Sequence, residues 1–171
     1  MRVSANADSL RYIADEVLPR IGKHVVLEVS GSVPTELVNE FANNKQIKFL
    51  GRVEDTRATL RSTSVFLAPI AYGTGIKTKI LEAMAIGVPV VTNSVGNEGI
   101  GLVNGESAFV SDDAEVLAGS VRRLLNDRTL ADRIATAARQ RAISVFDWER
   151  SLEKFSYLGF SRSVHEGTAV S

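Results

Sequence analysis

The chain has 171 residues, 44% of them hydrophobic and 23% charged, which is typical of one soluble globular domain. Its 20 Lys and Arg residues balance 20 Asp and Glu residues, so the zero net charge argues against nucleic acid as a partner. Because the chain has no cysteine, disulfides, thiol catalysis and cysteine-based metal sites are excluded.

Short apolar runs alternate with helical patterns over the first two thirds of the chain. The apolar runs predict five strands, over 24–31, 47–51, 64–69, 88–93 and 107–111. The helical patterns lie before and between them, over 6–21, 33–44, 54–62 and 75–86, with Gly87 ending the last helix. Such alternation predicts right-handed βαβ units. We therefore expect an α/β fold with a doubly wound, Rossmann-like parallel sheet.

The last third of the chain is predicted to be helical, over 111–127, 128–146 and 147–160, before a flexible tail at 161–171. Asp112 and Glu115 have the spacing of a capping box at the start of the first of these helices. We thus expect one domain over 1–160. Because a doubly wound domain normally begins with a strand and only five residues precede the first helix, we expect that a first strand has been trimmed.

A glycine-rich segment stands between the third strand and the next helix. Gly73 and Gly75 permit positive φ angles and a close approach of a ligand to the backbone. Lys77 and Lys79 fall in the first predicted turn, where the helix macrodipole disfavours cations unless an anion offsets them. A strand, a glycine loop and a helix N-terminus form a common anion site at the carboxyl edge of parallel sheets. The pattern favours a phosphate ligand, although two solvated lysines would also fit it.

Glu82 is a carboxylate within an otherwise apolar helix segment, and two interpretations remain open. It can pair with Lys79 one turn earlier, an exposed interaction that contributes about 0.3 kcal/mol. Alternatively, its carboxylate lies far enough beyond a phosphate site to accept hydrogen bonds from ribose hydroxyls. The residues alone do not decide between a surface ion pair and a ribose ligand.

These segments together resemble a known family. The motif GTGIKTKILEAMAIGVPVVTN is preceded by GRVED and LRSTSVFLAPI, and it is followed by VGNEGI and a late FDW. In this order they resemble the C-terminal, donor-binding half of GT-B glycosyltransferases of the retaining group 1 (family 4) type. The likeness extends over nearly the whole chain, from Asn6 to Phe155.

The resemblance implies a binding site for a nucleoside-diphosphate sugar. Glu82 matches the second glutamate of the family's paired-glutamate motif, which holds the ribose. The base would lie near Gly31, Arg52 and Val53. The diphosphate would be held by the glycine loop and its lysines, namely Gly73, Thr74, Gly75, Ile76, Lys77 and Lys79.

The chain also departs from the family pattern. The first glutamate of the motif is replaced by Thr74, which leaves the donor sugar and the retaining outcome open. Asn97 and Glu98 either border the sugar pocket or form a simple turn. No catalytic residue is identified in this chain, and the two histidines, His24 and His165, have no metal ligand at a useful spacing, so neither a metal nor another cofactor is expected.

The resemblance further implies a partner. An N-terminal half would carry the acceptor, and the full-length protein would be a glycosyltransferase of the hexosyltransferase type in polysaccharide or glycoconjugate biosynthesis. The present chain alone would then be inactive. Two alternatives are a nucleotide-sugar 2-epimerase-like domain and a non-catalytic interaction module on the same fold.

The sequence also bears on location. No apolar run approaches about 20 residues, so no transmembrane segment is predicted. The beginning of the chain lacks the pattern of a signal peptide. We expect a cytoplasmic protein, with peripheral attachment at the inner face of the membrane left open.

Overall fold

The computed structural model of the chain describes residues 5–146. Three sequence predictions lie outside that range: the helix over 147–160, the flexible tail at 161–171 and the trimmed first strand. Within the range the fold is mixed α/β, as predicted. The strands are β1 Leu27–Ser30, β2 Ile47–Gly51, β3 Phe66–Ala68, β4 Val90–Thr92 and β5 Phe109–Val110.

The predicted helices occur in the expected order and differ from the prediction mainly at their ends, and one short helix after β4 was not predicted. They are α1 Ala5–Tyr12, α2 Leu18–Ile21, α3 Thr35–Glu40, α4 Thr56–Arg61, α5 Thr78–Ile86, α6 Ser94–Asn97, α7 Ala114–Asn126 and α8 Arg128–Phe146. A π-helical segment, Ile13–Val17, joins α1 to α2, so the three form the continuous amphipathic helix that the apolar pattern predicts.

Several helices begin two or three residues later than predicted, and the starts of α7 and α5 show why. The N-cap of α7 is Asp113, whose side chain accepts from the Val116 amide. Asp112 is not part of a capping box, because its carboxylate accepts from the amide and the hydroxyl of Ser94 instead. Helix α5 begins at Thr78 rather than at Gly75. Gly87 ends α5 in the left-handed conformation (φ 89°), as predicted.

All paired strands are parallel, as predicted, but the described strands form two hydrogen-bonded sheets rather than one. Strand β1 pairs with β2, and the second sheet has the order β3-β4-β5. The β1–β2 register shifts after Val29, where Ser30 lies opposite Gly51. Apolar periodicity predicts where a strand lies in the sequence but not which strands pair with it. The division into two sheets could therefore not be predicted from the sequence.

Two apolar clusters form the core on opposite faces of the second sheet. Val91 and Phe109 belong to the first cluster, whereas their chain neighbours Val90 and Ala108 belong to the second. Because successive side chains of a strand point to opposite faces, the two clusters lie on opposite sides. The first cluster contains buried residues of α1, α2, α3, α7 and the first part of α8, and the second contains those of α4, α5 and the later part of α8. Helices therefore cover both faces, as in a doubly wound fold.

Candidate functional site

The glycine loop between β3 and α5 has the backbone shape that its glycines permit. Gly73 and Gly75 have φ angles of 133° and 78°, which disfavour any residue with a Cβ. The left-handed Gly75 cannot start a right-handed helix, which is why α5 begins three residues later. Lys77 is the N-cap of α5 and has extended backbone angles. Of the two lysines predicted in the first turn, Lys79 alone lies there.

Lys77 is turned toward its own loop. Its Nζ donates to the carbonyl oxygens of Gly75, at 2.6 Å, and Gly73, at 3.2 Å. It also lies 3.9 Å from a carboxylate oxygen of Glu98, and its side chain is only 14% exposed. The lysine therefore closes the loop by donating hydrogen bonds to two of its carbonyl oxygens.

Lys79 and Glu82 form an exposed ion pair. The Lys79 Nζ donates to a carboxylate oxygen of Glu82 at 3.0 Å, and both side chains lie at the surface. This is the surface pair that the sequence allowed as one interpretation. An exposed pair of this kind stabilises the fold by about 0–1 kcal/mol, so either partner can exchange it for a ligand at small cost.

The start of the glycine loop is anchored by two polar side chains. Asn93, which follows β4, accepts from the Ile70 amide and donates to the Ile70 carbonyl, both at 2.9 Å. The Asn93 Oδ1 also accepts from the Gly96 amide and so caps α6. The hydroxyl of Ser9 accepts from the Ala71 amide at 3.0 Å. These contacts fix the chain just before Gly73.

The segment after α6 packs against the glycine loop and forms a turn. Asn97 donates to the Leu102 carbonyl at 2.9 Å and accepts from the Leu102 amide at 2.7 Å, and both contacts fit the turn interpretation of this residue. A Cβ on Gly99 would lie 3.2 Å from Ile76. Together with the contact of Glu98 to Lys77, this close approach packs the segment 98–99 against the glycine loop.

The three residues predicted near the base lie at the carboxyl edge of the first sheet. Gly31 follows β1, with its amide donating to the Gly51 carbonyl at 2.7 Å, and Arg52 and Val53 follow β2. All three line one cavity of about 1160 Å³, which Lys79 also lines. The ends of β1 and β2 therefore place Gly31, Arg52 and Val53 in the lining of this cavity, and the first turn of α5 adds Lys79.

Comparison with known proteins assigns the family. The family described as "Glycosyl transferases group 1" matches residues 1–127. The chain belongs to this family. It is 31% identical to the glycogen synthase of Mycobacterium tuberculosis over 144 residues, which cover 77% of the chain and 34% of that relative.

Two further comparisons give a second relative and a solved structure of similar fold. Over 140 residues the chain is 29% identical to CapM, a capsular polysaccharide biosynthesis glycosyltransferase of Staphylococcus aureus, covering 75% of the chain and 37% of the relative. The crystal structure of Anabaena HepE in complex with UDP and glucose superposes with a TM-score of 0.74 and 19% identity, covering 92% of this chain and 47% of that one. The chain spans about a third of the length of the curated relatives it matches.

In this group 1 glycosyl transferase chain, the residues predicted from the sequence fall in two neighbouring places. Gly31, Arg52, Val53 and Lys79 line the cavity, whereas the exposed loop residues Gly73, Thr74, Gly75 and Ile76, together with Lys77 and Glu82, do not. Among the described residues, no group of three acidic or histidine side chains is placed to hold a metal ion. Over the same range, every helix is too short or too polar to cross a membrane.

Sequence reasoning missed the residues that position the glycine loop. Ser9 lies on an amphipathic helix and Asn93 at the end of a strand, and neither has a local pattern that indicates a distant partner. Tyr72 is held in a similar way by a hydrogen bond to the Asp8 carboxylate, and desolvation together with this bond raises the pKa of Tyr72. For Asn93 the sequence did contain one indication, because Asn is a preferred N-cap and this residue directly precedes the short helix α6.

Proposed function

We propose that the chain is the donor-binding, C-terminal half of a GT-B glycosyltransferase. In the full-length protein it pairs with an N-terminal half that holds the acceptor, and a sugar passes from a nucleoside-diphosphate sugar to that acceptor with retention. The observation that supports this most directly is the convergence of Gly31, Arg52, Val53 and Lys79 on one cavity beside the glycine loop. The carboxyl edge of a parallel sheet is where such folds bind nucleotides.

The proposed binding mode assigns different roles to the two lysines. The base lies at the ends of β1 and β2, and the diphosphate lies against Gly73–Ile76 and the N-terminus of α5. Lys79 leaves Glu82 and binds a phosphate oxygen, while the released Glu82 carboxylate accepts from the ribose hydroxyls. Lys77 keeps its contacts with Gly73 and Gly75 and holds the loop in shape.

The names of related proteins agree with this proposal. HepE was crystallised with UDP and glucose, and the glycogen synthase and CapM relatives are named for polysaccharide synthesis. A hexosyl donor and a product that is a polysaccharide or glycoconjugate fit these names. No metal or other cofactor is assigned a role at this site.

The chemistry proposed for this half is stabilisation of the leaving group. As the bond from the sugar to the diphosphate breaks, negative charge develops on the diphosphate. The loop amides and the α5 N-terminus would stabilise that charge, and Lys79 would add to this once it has left Glu82. Thr74 stands at the position of the family's first glutamate and lacks a carboxylate. We assign no catalytic residue to this chain and expect it to transfer no sugar alone.

Calorimetry with the purified chain tests the site. We expect UDP to bind more tightly than uridine, because only the phosphates interact with Lys79 and the α5 N-terminus. Lys79→Ala should reduce that difference, and added salt should reduce it further, because the contact is partly screened. Glu82→Ala should weaken binding of both ligands by about 1.5–3 kcal/mol, the scale of hydrogen bonds to charged groups. GDP and ADP measured in parallel identify the base.

The matched control is Arg128→Ala. Arg128 forms a comparable exposed ion pair with Asp132, at 2.9 Å, and does not line the cavity. This variant should bind UDP as the parent does. Equal affinities of the parent for UDP and uridine, or an equal loss in the Lys79 and Arg128 variants, would contradict the proposed anion site.

A further inference from the structure

Arg141 joins the long helix α8 to the segment that follows α6. Its Nε donates a hydrogen bond to the Ile100 carbonyl at 2.7 Å, and this bond is partly buried. Ile100 itself is fully buried in the second apolar cluster. Hydrogen bonds from a charged donor are shorter and stronger than those from a neutral one. Arg141 therefore fixes the backbone at Ile100 to α8.

The segment 98–101 lies between α8 and the glycine loop, and two glycines permit a close approach on each side. Gly99 and Gly101 have φ angles of 74° and 69°, which favour glycine. A Cβ on Gly101 would lie 2.4 Å from the Nη2 of Arg141, and a Cβ on Gly99 would lie 3.2 Å from the Cγ1 of Ile76. The guanidinium therefore packs directly on one end of the segment, and the glycine loop packs directly on the other.

The same segment also contacts the glycine loop through a charged group. A carboxylate oxygen of Glu98 lies 3.9 Å from the Nζ of Lys77, which in turn donates to the carbonyl oxygens of Gly73 and Gly75. The described contacts thus run continuously from Arg141, through three consecutive residues of the segment, to both ends of the glycine loop. A displacement of the segment would therefore change the position of the loop.

We propose that Arg141 is a positioning residue for the diphosphate of the donor, which it affects by holding the segment 98–101 against the glycine loop. The proposal rests on the nucleotide site proposed above, and in it Arg141 contacts no ligand. A loop that is already held in shape binds an anion more tightly than a mobile one, because it loses less conformational freedom on binding. The base end of the cavity is formed by residues that follow β1 and β2, in the other sheet, so binding of the base should not depend on Arg141.

Two uncharged replacements of Arg141 separate its hydrogen bond from its charge. The side-chain amide nitrogen of glutamine is as many bonds from Cα as the arginine Nε, so Arg141→Gln keeps a donor for the Ile100 carbonyl. Methionine has a methyl group at that position and cannot donate. In calorimetry we expect Arg141→Met to weaken UDP binding about fivefold, the scale of one net hydrogen bond, and to leave uridine binding unchanged. Arg141→Gln should bind both ligands as the parent does.

Amide hydrogen exchange without ligand gives a second measurement. Exchange at 73–77 and at 98–101 should become several-fold faster in Arg141→Met but not in Arg141→Gln. The matched control is Arg139→Met, which removes an exposed arginine from the same helix. The Arg139 Cδ would lie 3.9 Å from a Cβ on Gly87, at the far end of α5 from the glycine loop. This variant should match the parent in both measurements.

The outcomes separate this proposal from the one on which it rests. If the parent binds UDP no more tightly than uridine, the nucleotide site is refuted and the role of Arg141 with it. If the parent prefers UDP and Arg141→Met keeps that preference, or loses affinity for both ligands equally, Arg141 serves only the stability of the fold and the proposal is wrong. Equal losses in the Met and Gln variants would also overturn it, because the charge rather than the hydrogen bond would then be responsible.

Discussion

Asn93 offers the sharpest test of how the glycine loop is held. Its side chain makes three hydrogen bonds, two to the backbone of Ile70 and one to the Gly96 amide. Loss of an N-cap costs about 1 kcal/mol, and each half-buried bond to a backbone group costs about 1 kcal/mol more. We therefore expect Asn93→Ala to lower the free energy of unfolding by about 2–4 kcal/mol. Urea unfolding followed by circular dichroism measures this loss.

A second variant makes the test stricter. Asn93→Asp keeps the acceptor for the Ile70 and Gly96 amides, but it replaces the donor to the Ile70 carbonyl with a carboxylate oxygen. It should therefore lose stability to an intermediate extent, and it should speed exchange of the amides near Gly73 more than those of α8. If Asn93→Ala costs less than about 0.5 kcal/mol, the anchor does not hold the loop and our account of it is wrong.

Three further outcomes follow from contacts described above. Lys77→Ala should speed exchange across the glycine loop several-fold with little change in the urea midpoint, because its Nζ donates hydrogen bonds to loop carbonyls; unchanged exchange would refute this role. Gly96→Ala should destabilise the fold by about 2–4 kcal/mol in the same urea assay, since its Cβ would lie 2.0 Å from the buried Thr92 hydroxyl. The third outcome concerns the Arg11–Glu40 pair. The Arg11 guanidinium donates a hydrogen bond to the Glu40 carboxylate and lowers the pKa of Glu40 below its ordinary value of 4.5. Stability from this pair should thus be present above pH 4.5 and lost as the pH falls through the lowered pKa, so parent and Glu40→Gln should converge in acid.

The sequence predicted those features that depend on local chemistry. The amphipathic first helix, the five apolar strands and the αL glycine at Gly87 each follow from residues near one another in the chain. The parallel pairing followed from the alternation of strands and helices. The glycine loop was also predicted from local chemistry, because glycines such as Gly73 and Gly75 readily adopt the positive φ angles that the loop has.

The remaining features depend on contacts between distant residues. Helix α5 begins late because Gly75 is left-handed and Lys77 turns back on the loop, which propensity alone does not reveal. Asp112 was assigned to a capping box because its spacing from Glu115 fits. In the structure its carboxylate instead accepts a hydrogen bond from the hydroxyl of Ser94, 18 residues earlier. The division into two sheets depends on lateral neighbours, about which an apolar run contains no information. The ligand roles of Glu82 and the base-site residues stay predictions that the binding experiments address.

The unequal placement of the two apolar clusters has a consequence for how the chain opens. The cluster that contains α5 and the later part of α8 includes buried residues of β4 but none of β1, β2 or α3. Those three elements rely on the other cluster alone, through residues such as Leu37, Phe41 and Ile47. We expect this part to unfold and refold as a separate unit while β3–β5 stays intact. Unfolding of the chain followed by two probes, one in each part, should then give transitions that do not coincide, so a single midpoint would not describe its stability.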